Sequence, residues 1–212
     1  MLHQVENTFR LLGALGIEGP PPPPKLVPDG RLVAACRAEL PPARGPVVGV
    51  HLSAREADRR WPDASFAELI ENLIGQHGAT VVLTWAPGES GNPQFPGDDL
   101  SARDLAARFT GKALVAMPTP GLAELIATLA VCDVVVCSDG GPVHLAAALG
   151  KPVVALFGSE RAELWHPWGV PYRLLQPASR DVSGIRVDEV LAACDSLIAG
   201  AACAPRAMAS TA

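Results

Sequence analysis

The stretch CSDGGPVHLAAALGKPVVALFG, residues 137–158, decides the fold. It sets an acid, two glycines and a histidine between two apolar runs. The run before them, Val131 to Ser138, is short, β-branched and almost continuously apolar, the pattern of a strand buried on both faces of a parallel sheet. The run after them, Pro152 to Phe157, has the same character. Between the runs, His144 to Leu149 is rich in Ala and Leu and favours helix, and Gly150 with Pro152 marks its end. The reading is strand, tight turn, short helix, strand: one compact βαβ unit. Gly140 and Gly141 let the backbone approach whatever sits above the turn, and Pro142 suits the first helical position. The helix then aims its free N–H groups and positive dipole end at the carboxyl edge of the sheet, a place that favours phosphate or carboxylate.

The rest of the chain extends the pattern. Val5, Phe9, Leu12 and Leu15 have helical spacing within residues 1–16, and Gly19 to Lys25 holds five consecutive prolines, a stiff linker. Pro46 to His51 predicts the first buried strand. A helix follows with Phe66, Leu69, Ile70, Leu73 and Ile74 on one face, started by a Ser65/Glu68 capping box and ended by Gly75 or Gly78. Thr80 to Trp85 predicts the second strand, and the polar loop from Trp85 to Asp99 is long enough to suggest function or mobility. Further helices are expected from Ser101 to Phe109, from a Thr119 cap through Leu122, Leu125, Ile126 and Leu129, and from an Asp188 cap through Val190, Leu191, Cys194, Leu197 and Ile198, with a short strand near Leu114. Alternating strands and helices predict an α/β fold, a doubly wound parallel sheet. The expected organisation is an N-terminal remnant and Pro-rich linker over 1–45, a Rossmann-like nucleotide-sugar-binding domain over 46–199, and a disordered tail over 200–212.

Composition bounds the function. The 212 residues are 49% hydrophobic and 18% charged, with a formal net charge of −5, which argues against bulk attraction to nucleic acid. Cys36, Cys132, Cys137 and Cys194 lack metal-site spacing and read as small core residues of a reducing, cytoplasmic setting. No apolar stretch reaches membrane-spanning length. A second loop, His51 to Pro62, joins the first strand to its helix and lies on the same sheet edge as Asp139. Its Ser53 hydroxyl and the cations Arg55, Arg59 and Arg60 could hold a diphosphate against the helix N–H groups, with Arg55 and Arg60 also readable as solvated.

These residues resemble glycosyltransferase family 9, the ADP-heptose:lipopolysaccharide heptosyltransferases. The family's Asp-(Ser/Thr/Gly)-Gly-x-x-His pattern, its Gly-x-Pro and its strand ending in Phe-Gly match Asp139, Gly140, Gly141, His144, Gly150, Pro152, Phe157 and Gly158. Its Lys-x-Trp-Pro element matches Arg59 to Pro62, with Arg59 in place of lysine, and Trp85 to Ser90 resembles its donor-nucleotide loop. Pro96 to Asp99 also fits the family, and the likeness covers about residues 45 to 199. The resemblance implies the C-terminal half of a GT-B fold and inverting transfer, without metal or cofactor, from ADP-heptose or a similar nucleotide sugar to a glycan or lipid-linked acceptor. It further implies that Asp139 bonds sugar hydroxyls, Gly140 and Gly141 meet the diphosphate, Arg59 and Ser53 neutralise it, Glu89 contacts the ribose, and His144 belongs to the same site. A full family member carries another domain of roughly 150 residues ahead of this one, so a fragment, a partner supplying that half, or a truncated binding domain without catalysis are the alternatives; a related epimerase is a further one. Each site residue also has a plainer reading: Asp139 as a helix cap, His144 as packing, Glu89 as an exposed loop residue. Trp61 and His51 read as structural, and Trp165, His166 and Trp168 as cleft lining or a structural corner.

Overall fold

The computed structural model describes residues 2–42, 44–92 and 96–203, with the side chains of 201–203 left aside. Six strands form one parallel sheet: β1 Val47–His51, β2 Thr80–Trp85, β3 Leu114–Pro118, β4 Val134–Ser138, β5 Val153–Leu156 and β6 Tyr172–Leu175. Their order is β3-β2-β1-β4-β5-β6. The helices are α1 Gln4–Phe9, α2 Gly30–Ala38, α3 Asp63–His77, α4 Asp99–Arg108, α5 Leu122–Ala130, α6 Gly141–Ala148, α7 Ala162–Trp165 and α8 Val187–Cys203. Every residue of β1, β2, β4 and β5 is buried, as expected of β-branched runs covered on both sides. One face packs Val48, Val50, Leu83, Val136 and Leu156 against Phe66, Leu69 and Ile70 of α3 and Val190 and Cys194 of α8. The other packs Val82, Val135 and Ala155 against Leu129 of α5 and Val143 and Ala146 of α6. The expected doubly wound α/β sheet is the observed one.

Local starts differ from expectation. Helix α3 begins at Asp63, and the N–H groups of Ser65 and Phe66 donate to Pro62 O, so no Ser65/Glu68 capping box forms. Buried Trp61 anchors this start: its indole Nε1 donates to Ile185 O at 3.0 Å, and its ring meets Phe66 edge-on at 5.0 Å. The helix ends at Gly78. Thr119 does not cap α5; its N–H and hydroxyl both donate to Trp85 O, tying the exit of β3 to that of β2. Gly121 stands at the α5 cap instead, and Leu122 is exposed rather than part of the buried stripe. Asp188 lies inside the first turn of α8, paired with Arg186. That helix continues to Cys203; the rest of the expected tail, 204–212, lies outside the described residues.

The N-terminal region is built onto the sheet domain. The expected single helix over 1–16 is α1 followed by a 3-10 segment, Arg10–Leu15. The polyproline run lies against the 166–170 corner, where a Cβ on Gly169 would stand 2.7 Å from the Pro23 Cβ, and Leu26 N donates to Ala148 O at 2.8 Å. Helix α2, which the periodicity did not announce, sets Val33 and Cys36 against the α5–α6 side of the core.

Two predictions follow from this packing. Gly158 lets the end of β5 approach the β1 loop: an added Cβ would sit 2.5 Å from Asp58 O. Gly158→Ala is therefore expected to cost about 1–3 kcal/mol through forced backbone shifts, seen as a Tm lowered by several degrees. Full burial at the end of β1 lowers the His51 pKa to about 4, with Asp98 and Ser53 acting weakly in the other direction. The unfolded chain binds that proton near pH 6.5 and the folded one does not until about 4. Stability is thus complete above pH 6.5 and falls as pH drops towards 4, by up to about 3 kcal/mol. Urea melts at pH 7, 5.5 and 4.5 check this: His51→Gln should flatten the slope over that window, and parallel slopes would assign acid lability to other groups.

Candidate functional site at the carboxyl edge

Strand order reverses direction between β1 and β4, which are paired with His51 opposite Cys137. At such a point the loops leaving the two strands diverge and open a crevice at the carboxyl edge. Asp139 extends β4 by one residue, its N–H donating to Leu156 O at 2.8 Å. Gly140 follows at φ 149°, ψ −167°, a conformation open only to glycine, and α6 starts at Gly141. In the first turn of α6 Pro142 carries no N–H and Val143 N donates to Gly140 O at 3.2 Å, so the Gly141 N–H is the one left without a partner inside the helix, at the crevice that Gly141 lines.

From the β1 side comes Arg59, closing the 3-10 turn Ala57–Arg59. Its Nη1 lies 3.0 Å from Asp139 Oδ2 and its Nη2 donates to Glu160 Oε1 at 2.5 Å. Burial pushes the Asp139 carboxyl above its ordinary pKa; Arg59 draws it back, and Glu160 and Asp58 add to the rise. The turn is fastened to the exit of β5 by Ser159 N donating to Asp58 Oδ2 at 3.2 Å, and hydrogen bonding by the Ser159 side chain, with a smaller share from this N–H, lowers the Asp58 pKa. Arg59, Asp139, Gly140, Gly141 and His144, all singled out in the sequence, line one cavity of about 340 Å³, together with Glu160 and Trp165. Partial burial lowers the pKa of His144, and its ring stands edge-on to Trp165 at 6.1 Å.

Ser53 and Glu89 lie outside that cavity lining. The Ser53 hydroxyl donates to Asp98 Oδ2 at 2.5 Å and accepts from Ala86 N at 2.8 Å, so it braces the loop after β2 rather than facing the crevice. Arg60 is not a solvated cation: its Nη1 pairs with Asp98 Oδ1 at 2.6 Å, and Asp98 is buried. Asp99 accepts from Trp85 Nε1 and from Gly88 N, the first of which most lowers its pKa. These two acids fold the Trp85–Ser90 loop, leaving the Glu89 side chain exposed on the same sheet edge. Sequence reasoning noted Pro96 to Asp99 without giving Asp98 and Asp99 this bracing role. Glu160 was not singled out at all. Its only signal is its position two residues after Gly158, on the loop leaving β5.

The corner residues are structural in part. His166 stacks on Tyr172 at 5.1 Å, and His3, buried ahead of α1, stacks on Trp168 at 4.6 Å and lies 2.9 Å, through Nε2, from His166 O. Trp165 instead faces cavities: it and His144 also border an apolar hollow of about 500 Å³ walled by α1, Leu12 and Pro21–Pro22. Among the described residues, no cluster of His, Cys, Asp or Glu has the arrangement of a metal site, and no helix is long and apolar enough to cross a membrane.

Comparison with known proteins agrees with this geometry. The profile of glycosyltransferase family 9 (heptosyltransferase) matches residues 1–181. Lipopolysaccharide heptosyltransferase 1 of Salmonella typhimurium is 33% identical over 111 residues, 52% of this chain and 31% of that protein. Lipopolysaccharide heptosyltransferase 3 of Escherichia coli is 32% identical over 127 residues, 57% of this chain and 33% of that protein. The structure of E. coli ADP-heptose lps heptosyltransferase II has the same fold, with a TM-score of 0.72 at 22% identity over 88% of this chain and 57% of that one. A family 9 glycosyl transferase from Veillonella parvula gives 0.78 at 16% identity over 94% and 61%. An E. coli heptosyltransferase solved with ADP gives 0.67 at 21% identity over 90% and 56%. The chain thus spans little more than half the length of these solved relatives, and its sheet is the C-terminal half of a GT-B fold. The motif residues gathered at the switch point and the profile match over most of the length lead to one conclusion: the chain belongs to glycosyltransferase family 9, the heptosyltransferases.

Proposed function

We propose that the chain is the donor-binding half of an inverting glycosyltransferase that uses no metal and takes its sugar from ADP-heptose or a similar ADP-sugar. The acceptor is a lipopolysaccharide-core or related glycan. The observation that carries the reading is that Arg59, paired with Asp139, lines one cavity with the start of α6 at the β1/β4 switch point. Support for the donor class comes from one E. coli heptosyltransferase of the same fold, solved with ADP and with ADP-2-deoxy-2-fluoro heptose.

In this reading the diphosphate lies between the α6 N–H groups and the Arg59 guanidinium. Gly140 and Gly141 present backbone without side chains at the closest approach. Asp139 holds Arg59 in place and accepts from sugar hydroxyls, and Glu89 reaches the ribose from the braced loop. Ser53 acts through that loop, not on phosphate. During transfer the acceptor hydroxyl oxygen attacks the anomeric carbon from the face opposite the diphosphate, while a base takes the hydroxyl proton. As the anomeric C–O bond breaks, its electron pair leaves on the diphosphate, and the charge that grows there meets fixed N–H dipoles and Arg59. Asp139 is engaged by Arg59 and is poorly suited to be that base. The base is assigned to the acceptor side.

Calorimetric titrations test the donor site. Gly141 has open space where a Cβ would stand, so Gly141→Val leaves the fold intact and obstructs only the crevice. It should weaken ADP binding by on the order of 1–3 kcal/mol. Arg59→Ala should weaken ADP about 10- to 100-fold, the scale of a charge-assisted contact, and adenosine hardly at all. Equal ADP affinity in the wild type and Gly141→Val would overturn the assignment.

A further inference from the structure

The cavity read above as a diphosphate site is lined by two carboxylates and one guanidinium. The guanidinium is already committed: Nη1 to Asp139 at 3.0 Å and Nη2 to Glu160 at 2.5 Å, with Nε buried and unpartnered. An incoming phosphate therefore meets a guanidinium whose two terminal nitrogens each already face a carboxylate, and it competes with those carboxylates for Arg59.

The two carboxylates differ in how firmly they are held. The Asp139 side chain is 7% exposed, and its backbone is locked into the sheet by the bond to Leu156 O. The Glu160 side chain is 37% exposed and sits on the loop leaving β5. That loop's backbone is pinned independently of the side chain. Gln176 Nε2 donates to Gly158 O at 2.7 Å and to Glu160 O at 2.8 Å, and Ser159 N donates to Asp58. The Glu160 carboxylate can thus swing into solvent while its main chain stays in place. Exposed carboxylate–guanidinium pairs are weak, whereas charge-assisted phosphate–guanidinium contacts are strong and bidentate. The exchange runs in the direction of phosphate.

We propose that Glu160 is an internal competitor for the donor diphosphate: it occupies the Nη2 side of Arg59 in the empty site, keeps the guanidinium aimed into the crevice, and gives way to phosphate, so that it sets donor affinity. The inference rests on the donor-site reading above. Glu160 is a positioning residue, acting through Arg59 and through the negative charge it adds to the cavity. Its removal is expected to tighten, not weaken, the binding of anionic ligands.

The test titrates wild type, Glu160→Gln and Glu160→Ala with ADP, inorganic pyrophosphate and adenosine, each variant also being melted thermally. Both variants should bind ADP and pyrophosphate about fivefold more tightly, the scale of one exposed ion pair removed from competition. Adenosine affinity should stay at the wild-type value. A merely structural role would move all three ligands together and lower the Tm. Unchanged or weaker pyrophosphate binding by both variants, with ADP bound by the wild type, would overturn the role of Glu160 and leave the donor site standing. A wild-type chain that bound neither ADP nor pyrophosphate would overturn the donor reading and this inference with it.

Discussion

The ion pair between Arg59 and Asp139 spans the one place in the sheet where the winding direction changes, and the rest of the carboxyl edge is arranged around it. A carboxylate as enclosed as that of Asp139 is costly to ionise without a cation beside it. Its raised pKa records that cost, and Arg59 is the group that offsets it. The pairing is possible because β1 and β4 are neighbours in register, so the residue just past β4 and the turn eight residues past β1 emerge side by side. Arg59 must then be held from behind. The 3-10 turn, the Asp58–Ser159 bond and the close approach of Gly158 do this, joining the β1 loop to the exit of β5. Three strands thus cooperate to aim one guanidinium at the end of one helix.

A second network holds the loop after β2 at the same edge. Asp98 binds Ser53 and Arg60, and Asp99 binds Trp85 and Gly88. The cost of burying Asp98 is met by a cation and a hydroxyl, as it is for Asp139 by Arg59. Two buried acids, each paired with an arginine from the same β1 loop, therefore divide the site in two. The Asp139–Arg59 half faces the crevice, and the Asp98–Arg60 half fastens the loop that carries Glu89. Adjacent arginines, one lining the cavity and the other bracing a loop, show why residue type alone does not separate the two settings here.

Much of the fold was legible because β1, β2, β4 and β5 are buried on both faces and read as unbroken β-branched runs. The edge strand β6, Tyr172–Leu175, is short and half exposed, so it carries no such signal. Helix α2 touches the core through a stripe of only a few residues, too narrow to set a period. The helix starts were misread for a common reason. Ser65, Thr119 and Asp188 are all good capping types, yet contacts across the fold by Trp61 and Trp85, and the local Arg186–Asp188 pair, accompany helix starts a few residues away from those expected. In the site, the Asp139–His144 motif was legible because a glycine-rich turn between two buried strands has few other uses. Ser53 reads as a phosphate contact in the sequence because a hydroxyl beside cations suggests phosphate, and only the fold brings Asp98, 45 residues on, within 2.5 Å of it. Glu160 was invisible for the same reason: its partner lies 101 residues earlier in the chain.

The central claim is that a nucleoside diphosphate sits at the start of α6 against Arg59. Amide 1H–15N spectra recorded during titration with ADP test it most directly, because they report on every edge of the sheet at once. The account predicts that the largest shifts fall on Gly140, Gly141 and Val143 and on the Arg59 side chain. A cavity of about 300 Å³ at the opposite, amino edge carries Arg44 and Lys112 and is the natural rival for an anion. Shifts centred on Gly78, Gly111 and Lys112, with the Gly140–Val143 amides unmoved, would contradict the account.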